Sequence, residues 1–265
     1  MRYALISDIH GNLPALDAVL DHIDERDDVE AIVHLGDLVG YAPFPNEVVQ
    51  RLVEWGITGV GGNYDSTTAA GYEHCGCTYE DPVQAELSHQ SYAWTRAHVT
   101  DETRRRLAAL PFRLDLRPLG GHTSGPRLIL IHGNPILNTV YWTEDRSDGF
   151  CAKMAEKLGA RAGDWIAFGH THLPWHREVD GIHFVNTGSV GRPKDGDPRA
   201  GYVTVEFSTG DANGSASTAP PLESSGRVEF VRVEYDVTTT AEAIRASDLP
   251  DAFATFLESG GRRLN

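Results

Sequence analysis

The chain has 265 residues, a formal charge of −15, 40% hydrophobic and 23% charged residues, the profile of an ordinary globular protein. So much negative charge argues against a nucleic-acid partner, because phosphate backbones need a basic surface. No apolar run nears the roughly 20 residues of a bilayer span, and the three cysteines Cys75, Cys77 and Cys151 give no disulfide framework, so a single cytoplasmic domain over residues 1–265 without a membrane partner is expected.

Tyr3 to Ile6 is a short apolar run without alternation, which suits a strand buried on both faces. It ends in Asp8 and His10, and Asn12 then caps a helix carrying Leu13, Leu16, Val19, Leu20 and Ile23 at helical spacing. Ala31 to Leu35 is a second buried strand, ending in Gly36-Asp37. Asn46 to Trp55 reads as a helix, and Thr58 to Val60 as a third strand running into Gly61-Gly62-Asn63-Tyr64-Asp65. The alternation implies parallel pairing.

Residues 64–80 read as a loop, the start of a loop and helical insert over 64–110. Asp81-Pro82 opens a helix through Ala97, and another follows from Thr100 with Asp101 and Glu102 in its first turn. Arg113 to Leu116 and Leu128 to Ile131 read as strands, the latter ending in His132; a helix over 148–159 precedes Trp165 to Phe168, which ends in Gly169-His170-Thr171-His172. Asp180-Gly181 between apolar runs is a hairpin signal. It leads into Asn186-Thr187-Gly188-Ser189-Val190-Gly191 and a basic segment with Arg192, Lys194 and Arg199. Tyr202 to Phe207 and Val228 to Tyr235 alternate like strands around 208–226, a Ser/Gly/Pro-rich stretch that reads as a mobile hairpin loop. Residues 237–265 form a helical tail broken at Pro250 and free of liganding patterns, so it is expected to be peripheral to the chemistry. The fold class expected is α/β, with two sheets packed between helices, one half mainly parallel and the other more antiparallel.

The chemistry lies in the strand ends. They deliver Asp8 and His10, Asp37, Asn63, His132, and His170 with His172. Seven nitrogen and oxygen donors are too many for one ion that keeps an open position and about right for two divalent transition-metal ions sharing a carboxylate, with Mn, Fe, Zn or Ni as candidates. Two such ions, ~3.5–4 Å apart, clamp phosphoryl oxygens and generate a hydroxide nucleophile at neutral pH.

The order Asp-x-His, Gly-Asp, Gly-Asn-x-Asp, His, Gly-His-x-His resembles that of the calcineurin-like metallophosphoesterases. The stretches from Gly36 to Pro43 and from Asn186 to Gly191 are similar to those of its small prokaryotic branch, with YfcE-type phosphodiesterases and protein-phosphatase-like members. The resemblance spans residues 1 to 207 and implies a two-sheet β-sandwich flanked by helices. It implies that Asp8, His10 and His172 hold one ion, that Asn63, His132 and His170 hold the other, and that Asp37 bridges them. The implied activity is hydrolysis of phosphate mono- or diesters on a phosphorylated small molecule or phosphoprotein by metal-bound hydroxide. A protein serine/threonine phosphatase and a non-catalytic metal-binding scaffold are the alternatives.

One position departs from the family motif. Where the family has a histidine that assists the leaving group, this chain has Tyr64, whose phenol is a poor proton donor near neutral pH. Tyr64 and Asp65 are therefore the candidate catalytic side chains, and Arg192 the candidate for a substrate phosphate, with Lys194 and Arg199 near it. His34 reads as a hydrogen-bonded core residue, Cys75-Gly76-Cys77 as a loop with free thiols, and Trp94 and Trp142 as packing.

Overall fold

The computed structural model describes residues 1–78, 81–118, 125–207 and 226–261; most of the 208–226 loop and the last four residues of the tail lie outside them. Its first sheet orders the strands β10-β9-β1-β2-β3, with β1 at Arg2–Ile6, β2 at Ala31–His34, β3 at Thr58–Gly59, β9 at Ala200–Phe207 and β10 at Gly226–Val233. The second runs β4-β5-β6-β8-β7, with β4 at Arg113–Leu116, β5 at Leu128–Ile131, β6 at Trp165–Phe168, β7 at Trp175–Val179 and β8 at Ile182–Asn186. β1, β2 and β3 pair in parallel, as do β5, β6 and β8; the flanking β9, β10, β4 and β7 pair antiparallel. This is the mixed α/β architecture expected from the pattern of elements.

The register explains the continuous apolar runs. Leu5, Val33 and Val60 from the first sheet meet Leu128, Leu130, Ala167 and Val185 from the second in one interior layer. Alternate residues Ala4 and Ile6 face outward onto Leu16, Val19, Leu20 and Ile23 of helix α1 (Leu13–Asp24). Ile129, Ile131, Ile166 and Phe168 likewise pack under Cys151 and Met154 of helix α6 (Asp148–Leu158) and Trp142, which stacks on Phe168 at 4.6 Å. Parallel strands covered on both faces have no wet side, so the alternation disappears from the sequence. The Asp180-Gly181 turn has φ of 52° and 71°, the left-handed pair that a two-residue hairpin with native twist requires.

Residues 64–80 are not simply a loop. Helix α3 spans Asn63–Ala70, from the extended Gly62 to the left-handed Gly71 at φ 74°. Asp65 Oδ2 accepts from Gly62 N–H at 2.9 Å, so the first turn is held by its own carboxylate. Small polar residues gave this helix no apolar stripe to read, and the signal that remained was its caps. Helices α2 (Pro45–Glu54), α4 (Pro82–His98), α5 (Asp101–Ala108), α7 (Val237–Arg245) and α8 (Ala252–Glu258) complete the fold. Asp81 and Thr100 cap α4 and α5 by accepting from Val83 N–H at 2.9 Å and Thr103 N–H at 3.1 Å.

His34 sits at the end of β2, 2% exposed, with no hydrogen bond to Nδ1 among the described residues. A Cβ on Gly59 would lie 2.6 Å from that nitrogen, which is why glycine faces it on β3. Burial pushes the ring down from 6.5 to about 4, so it is neutral in the folded chain. The unfolded chain binds the proton first as pH falls. The stability tied to this neutral ring is therefore intact above pH 6.5 and lost progressively toward pH 4, about 3 kcal/mol in all. His34→Leu should flatten the acid side of a urea-unfolding profile between pH 7.5 and 4.5; an unchanged slope would show that the ring is not buried neutral.

Candidate metal centre

The parallel strands β1, β2 and β3 in one sheet and β5 and β6 in the other end on a shared edge, and their trailing loops carry the seven donors. Asp8, His10, Asp37, His170 and His172 all have φ between 52° and 66°. Left-handed backbone at non-glycine residues is costly and is held only where surroundings over-determine it. Here the hydrogen bonds do so: Asp8 N donates to Gly36 O at 2.9 Å, His10 N to Asp37 O at 3.0 Å and Gly11 N to Leu38 O at 2.9 Å. The loops after β1 and β2 are thus stitched together, which brings Asp8 and His10 beside Asp37.

Two groups result, Asp8 with His10 and His172, and Asp37 with His132 and His170, each with its donor atoms within 4.8 Å of one another. All six residues are buried. Asp37 Oδ2 lies 3.4 Å from His132 Nε2 and 3.8 Å from His10 Nε2, so one carboxylate reaches both groups. Asp8 Oδ2 is held by Ser7 Oγ–H at 2.6 Å and His170 N–H at 2.9 Å. Its Oδ1 has no hydrogen bond among the described residues and points toward His172 Nε2 at 3.2 Å.

Tautomers follow from the carbonyls behind the rings. His10 Nδ1 faces Val39 O at 3.0 Å, His132 Nδ1 faces Leu35 O at 2.8 Å, and His172 Nδ1 faces Arg192 O at 2.6 Å. Each Nδ1 therefore carries the proton, and His10 Nε2 and His172 Nε2 turn lone pairs inward, while His132 Nε2 faces Asp37 Oδ2. His10 Nε2 and His172 Nε2 are only 3.1 Å apart. Asn63 Oδ1 adds a further acceptor, 3.2 Å from His132 Nε2. With the amide reversed, its nitrogen would instead donate to Asp37 Oδ2, His170 Nδ1 and His132 Nε2 at 3.2, 3.1 and 3.2 Å. In the present orientation Nδ2 donates to Cys77 Sγ at 3.3 Å and the oxygen faces acceptors alone. Lone pairs converging from every side are repulsive unless cations lie between them, and the mixed N/O donor set fits divalent transition metals.

Protonation agrees with that reading. Burial pushes His10 and His170 down to about 3 and His172 well below its usual value, leaving all three neutral. Burial would lower His132 too, but the charge and hydrogen bond of Asp37 overcome it and raise the ring to about 9. A proton there stands in for a cation between the ring and the carboxylate.

The other expected site residues take distinct places. Asp65 is fully buried; its Oδ1 accepts from Leu38 N–H at 2.9 Å, and burial followed by the nearby Asp37 raises it to about 7. Its carboxylate thus clamps the Asp37 loop onto α3. Tyr64 donates its N–H to Asp37 Oδ1 at 2.9 Å, while its ring packs edge-on to His10 and its hydroxyl lies 3.1 Å from Ser88 Oγ. Arg192 is 5% exposed, its guanidinium 4.1 Å over the Tyr41 ring and 3.9 Å over Phe256. It lines a cavity of about 550 Å³ with Tyr41, Ser88, Tyr141, Lys194 and Phe253. Arg199 instead pairs with Asp197 at 2.6 Å, away from that cavity's lining.

Three residues were not legible beforehand. Phe253 and Phe256 belong to α8, so the helical tail, expected to be peripheral to the chemistry, packs here: Phe253 lines the cavity and Phe256 covers Arg192. Nothing in a short amphipathic helix announces which loop it will cover. Cys77 was read as a loop thiol, yet its sulfur fixes the amide of Asn63. Cys77→Ser should keep the donated hydrogen bond. Cys77→Val should let the amide turn and weaken ion binding by about 10–100-fold, the usual cost of losing a group that orients a ligand. Equal affinities in the two variants, by calorimetric titration, would remove Cys77 from this role.

A model of the calcineurin-like phosphoesterase superfamily domain matches residues 1–210. The uncharacterized protein MJ0912 of Methanocaldococcus jannaschii is 28% identical over 267 aligned positions, covering 94% of this chain and 93% of that protein. Phosphodiesterase YfcE of Escherichia coli K12 is 26% identical over 208, covering 75% and 84%. A crystal structure of a metallophosphoesterase from Sphaerobacter thermophilus superposes with a TM-score of 0.70 at 27% identity, covering 98% of this chain and 100% of that one. The order of the motifs, the two sheets and the match over most of the chain agree: this protein belongs to the calcineurin-like phosphoesterase superfamily, a family of metal-dependent hydrolases of phosphoric esters.

Proposed function

We propose that this chain hydrolyses phosphate mono- or diesters of small molecules at a two-ion centre. Asp8, His10 and His172 would hold one divalent ion, Asn63, His132 and His170 the other, and Asp37 would be shared. The observation that carries this reading is the inward convergence of His10 Nε2, His172 Nε2 and Asp8 Oδ1 with no donor among them. When bound, the ions supply Lewis acidity, acidifying water and neutralising charge that develops on phosphoryl oxygens. The protein's own share is orientation. Val39 O, Leu35 O and Arg192 O fix the histidine tautomers, Asp65 pins the loop that carries Asp37, and Arg192 stands at the cavity wall to receive an anionic group of the substrate. YfcE is named a phosphodiesterase, which supports the diester side of the reading. A cavity of about 550 Å³ suits a small molecule better than a folded phosphoprotein.

The test is a chelator-stripped protein titrated separately with Mn, Fe, Zn and Ni and assayed on aryl phosphate mono- and diesters. Two ions per chain and hydrolysis that vanishes on stripping and returns on loading are expected. A maximum of one ion, or no hydrolysis of any ester with two ions bound, would overturn the assignment and favour a scaffold.

A further inference from the structure

The basic segment after β8 contains two acids, and both are committed elsewhere. Asp195 pairs with Arg232 of β10, and Asp197 pairs with Arg199. Among the described residues neither the Arg192 guanidinium nor the Lys194 ammonium makes a hydrogen bond or ion pair with a protein group. Arg192 is nevertheless only 5% exposed, and both side chains line the 550 Å³ cavity. Asp81, a carboxylate that also lines it, caps α4 through Val83 N–H. Two rings pack against the guanidinium, which leaves its N–H donors open to the cavity that it lines and to an anionic partner there.

Helix α8 builds this arrangement. Phe256 covers one face of Arg192, and Phe253 packs against Tyr41 at 5.2 Å. Past α8, Gly196 N donates to Gly260 O at 2.8 Å, and a Cβ on Gly261 would lie 2.6 Å from Lys194 Cα. Only glycine allows so close an approach, with φ of 85° at Gly261. The tail thus clamps the segment from Arg192 to Asp197 against the cavity. The family match ends at residue 210, so α8 lies outside the matched residues.

We propose that Arg192 and Lys194, held by α8, form a subsite for a second anionic group of the substrate, a phosphate or carboxylate distinct from the phosphate that is cleaved. The proposal rests on the phosphoesterase reading above. The cleaved phosphate belongs over the seven inward donors, whereas the guanidinium is reached from His10 across the ring of Tyr41, which lies 4.9 Å from His10 and 4.1 Å from Arg192.

Calorimetric titration of the full chain as purified with glycerol 3-phosphate, 3-phosphoglycerate and glycerol 1,3-bisphosphate tests it. The two probes with a second acidic group should bind about tenfold or more tighter than glycerol 3-phosphate, as charge-assisted bonds allow. Whichever of them shows the larger gap identifies carboxylate or phosphate as the second group. The gap should collapse in Lys194→Ala, persist in part in Lys194→Arg, and stay intact in Arg199→Ala. Equal affinities for all three probes in the parent chain, or a gap that survives Lys194→Ala, would overturn the subsite. So would an equal weakening of all three, which would put Lys194 on the cleaved phosphate. Release of inorganic phosphate, measured in parallel on the ion-loaded protein, judges the phosphoesterase reading separately from the binding gap.

Discussion

Asp37→Asn is expected to lower kcat by about three orders of magnitude or more and to reduce the tightly held ions from two to at most one. Asp37 is the carboxylate that reaches both groups, 3.4 Å from His132 Nε2 and 3.8 Å from His10 Nε2. Asparagine keeps its volume and an oxygen for Tyr64 N–H, which donates to Asp37 Oδ1 at 2.9 Å. The loop should therefore survive, while an amide nitrogen turned toward the ions would add repulsion where a shared negative charge had been. Ion-assisted stabilisation of several kcal/mol corresponds to a rate effect of this size. Elemental analysis and kcat on an aryl phosphate decide the matter; two ions retained with kcat within tenfold would show that the carboxylate is not shared.

Tyr64→His should raise kcat/KM for alkyl phosphates by about 10²-fold and change aryl phosphates by less than about tenfold. Two ions can stabilise the phosphorus centre, but an alkoxide leaving group still needs a proton, and a positioned general acid contributes roughly 10²–10⁴. Tyr64 is poorly suited to give one. Its hydroxyl lies 3.1 Å from Ser88 Oγ, which also faces the Tyr41 hydroxyl at 3.1 Å, and the residue is 1% exposed. A Cβ on Gly40 would fall 2.5 Å from the Tyr64 ring, so the phenyl body is packed on both backbone and side chains. Tyr64→Phe should accordingly cost only about 0.5–1.5 kcal/mol of stability and little turnover. Equal acceleration of both ester classes by Tyr64→His would refute the leaving-group account. A large loss of turnover in Tyr64→Phe with both ions retained would make the phenol a direct participant.

Much of this protein was written in local pattern. Apolar runs of four residues, each ending in a donor, announced strands buried on both faces, because such strands have no wet side to break the run. The order Asp8, His10, Asp37, Asn63, His132, His170 and His172 identified the family, since a ligand set is carried by residue type and sequence order. Caps at Asn12, Asp81 and Thr100 and the Asp180-Gly181 turn were legible because their hydrogen bonds are made within a few residues. Helix α3 was missed for the complementary reason: its residues are small and polar, and what fixes it is Asp65 bonding back to Gly62 and across to Leu38.

What only the tertiary structure decided lies in contacts between distant segments. The left-handed backbone at Asp8, His10 and Asp37 is held by hydrogen bonds between the loops after β1 and β2, and left-handed His170 donates its N–H to Asp8 Oδ2, 162 residues away in the chain. Asn63 Nδ2 meets Cys77 Sγ at 3.3 Å, and the tautomer of His172 is set by Arg192 O. Most consequential is α8, whose Phe253 and Phe256 come from the end of the chain to wall a cavity and stack on Arg192. A sequence specifies that such a helix has an apolar face, but the surface it buries is chosen by packing, and that choice covers Arg192, which has no anionic partner among the described residues.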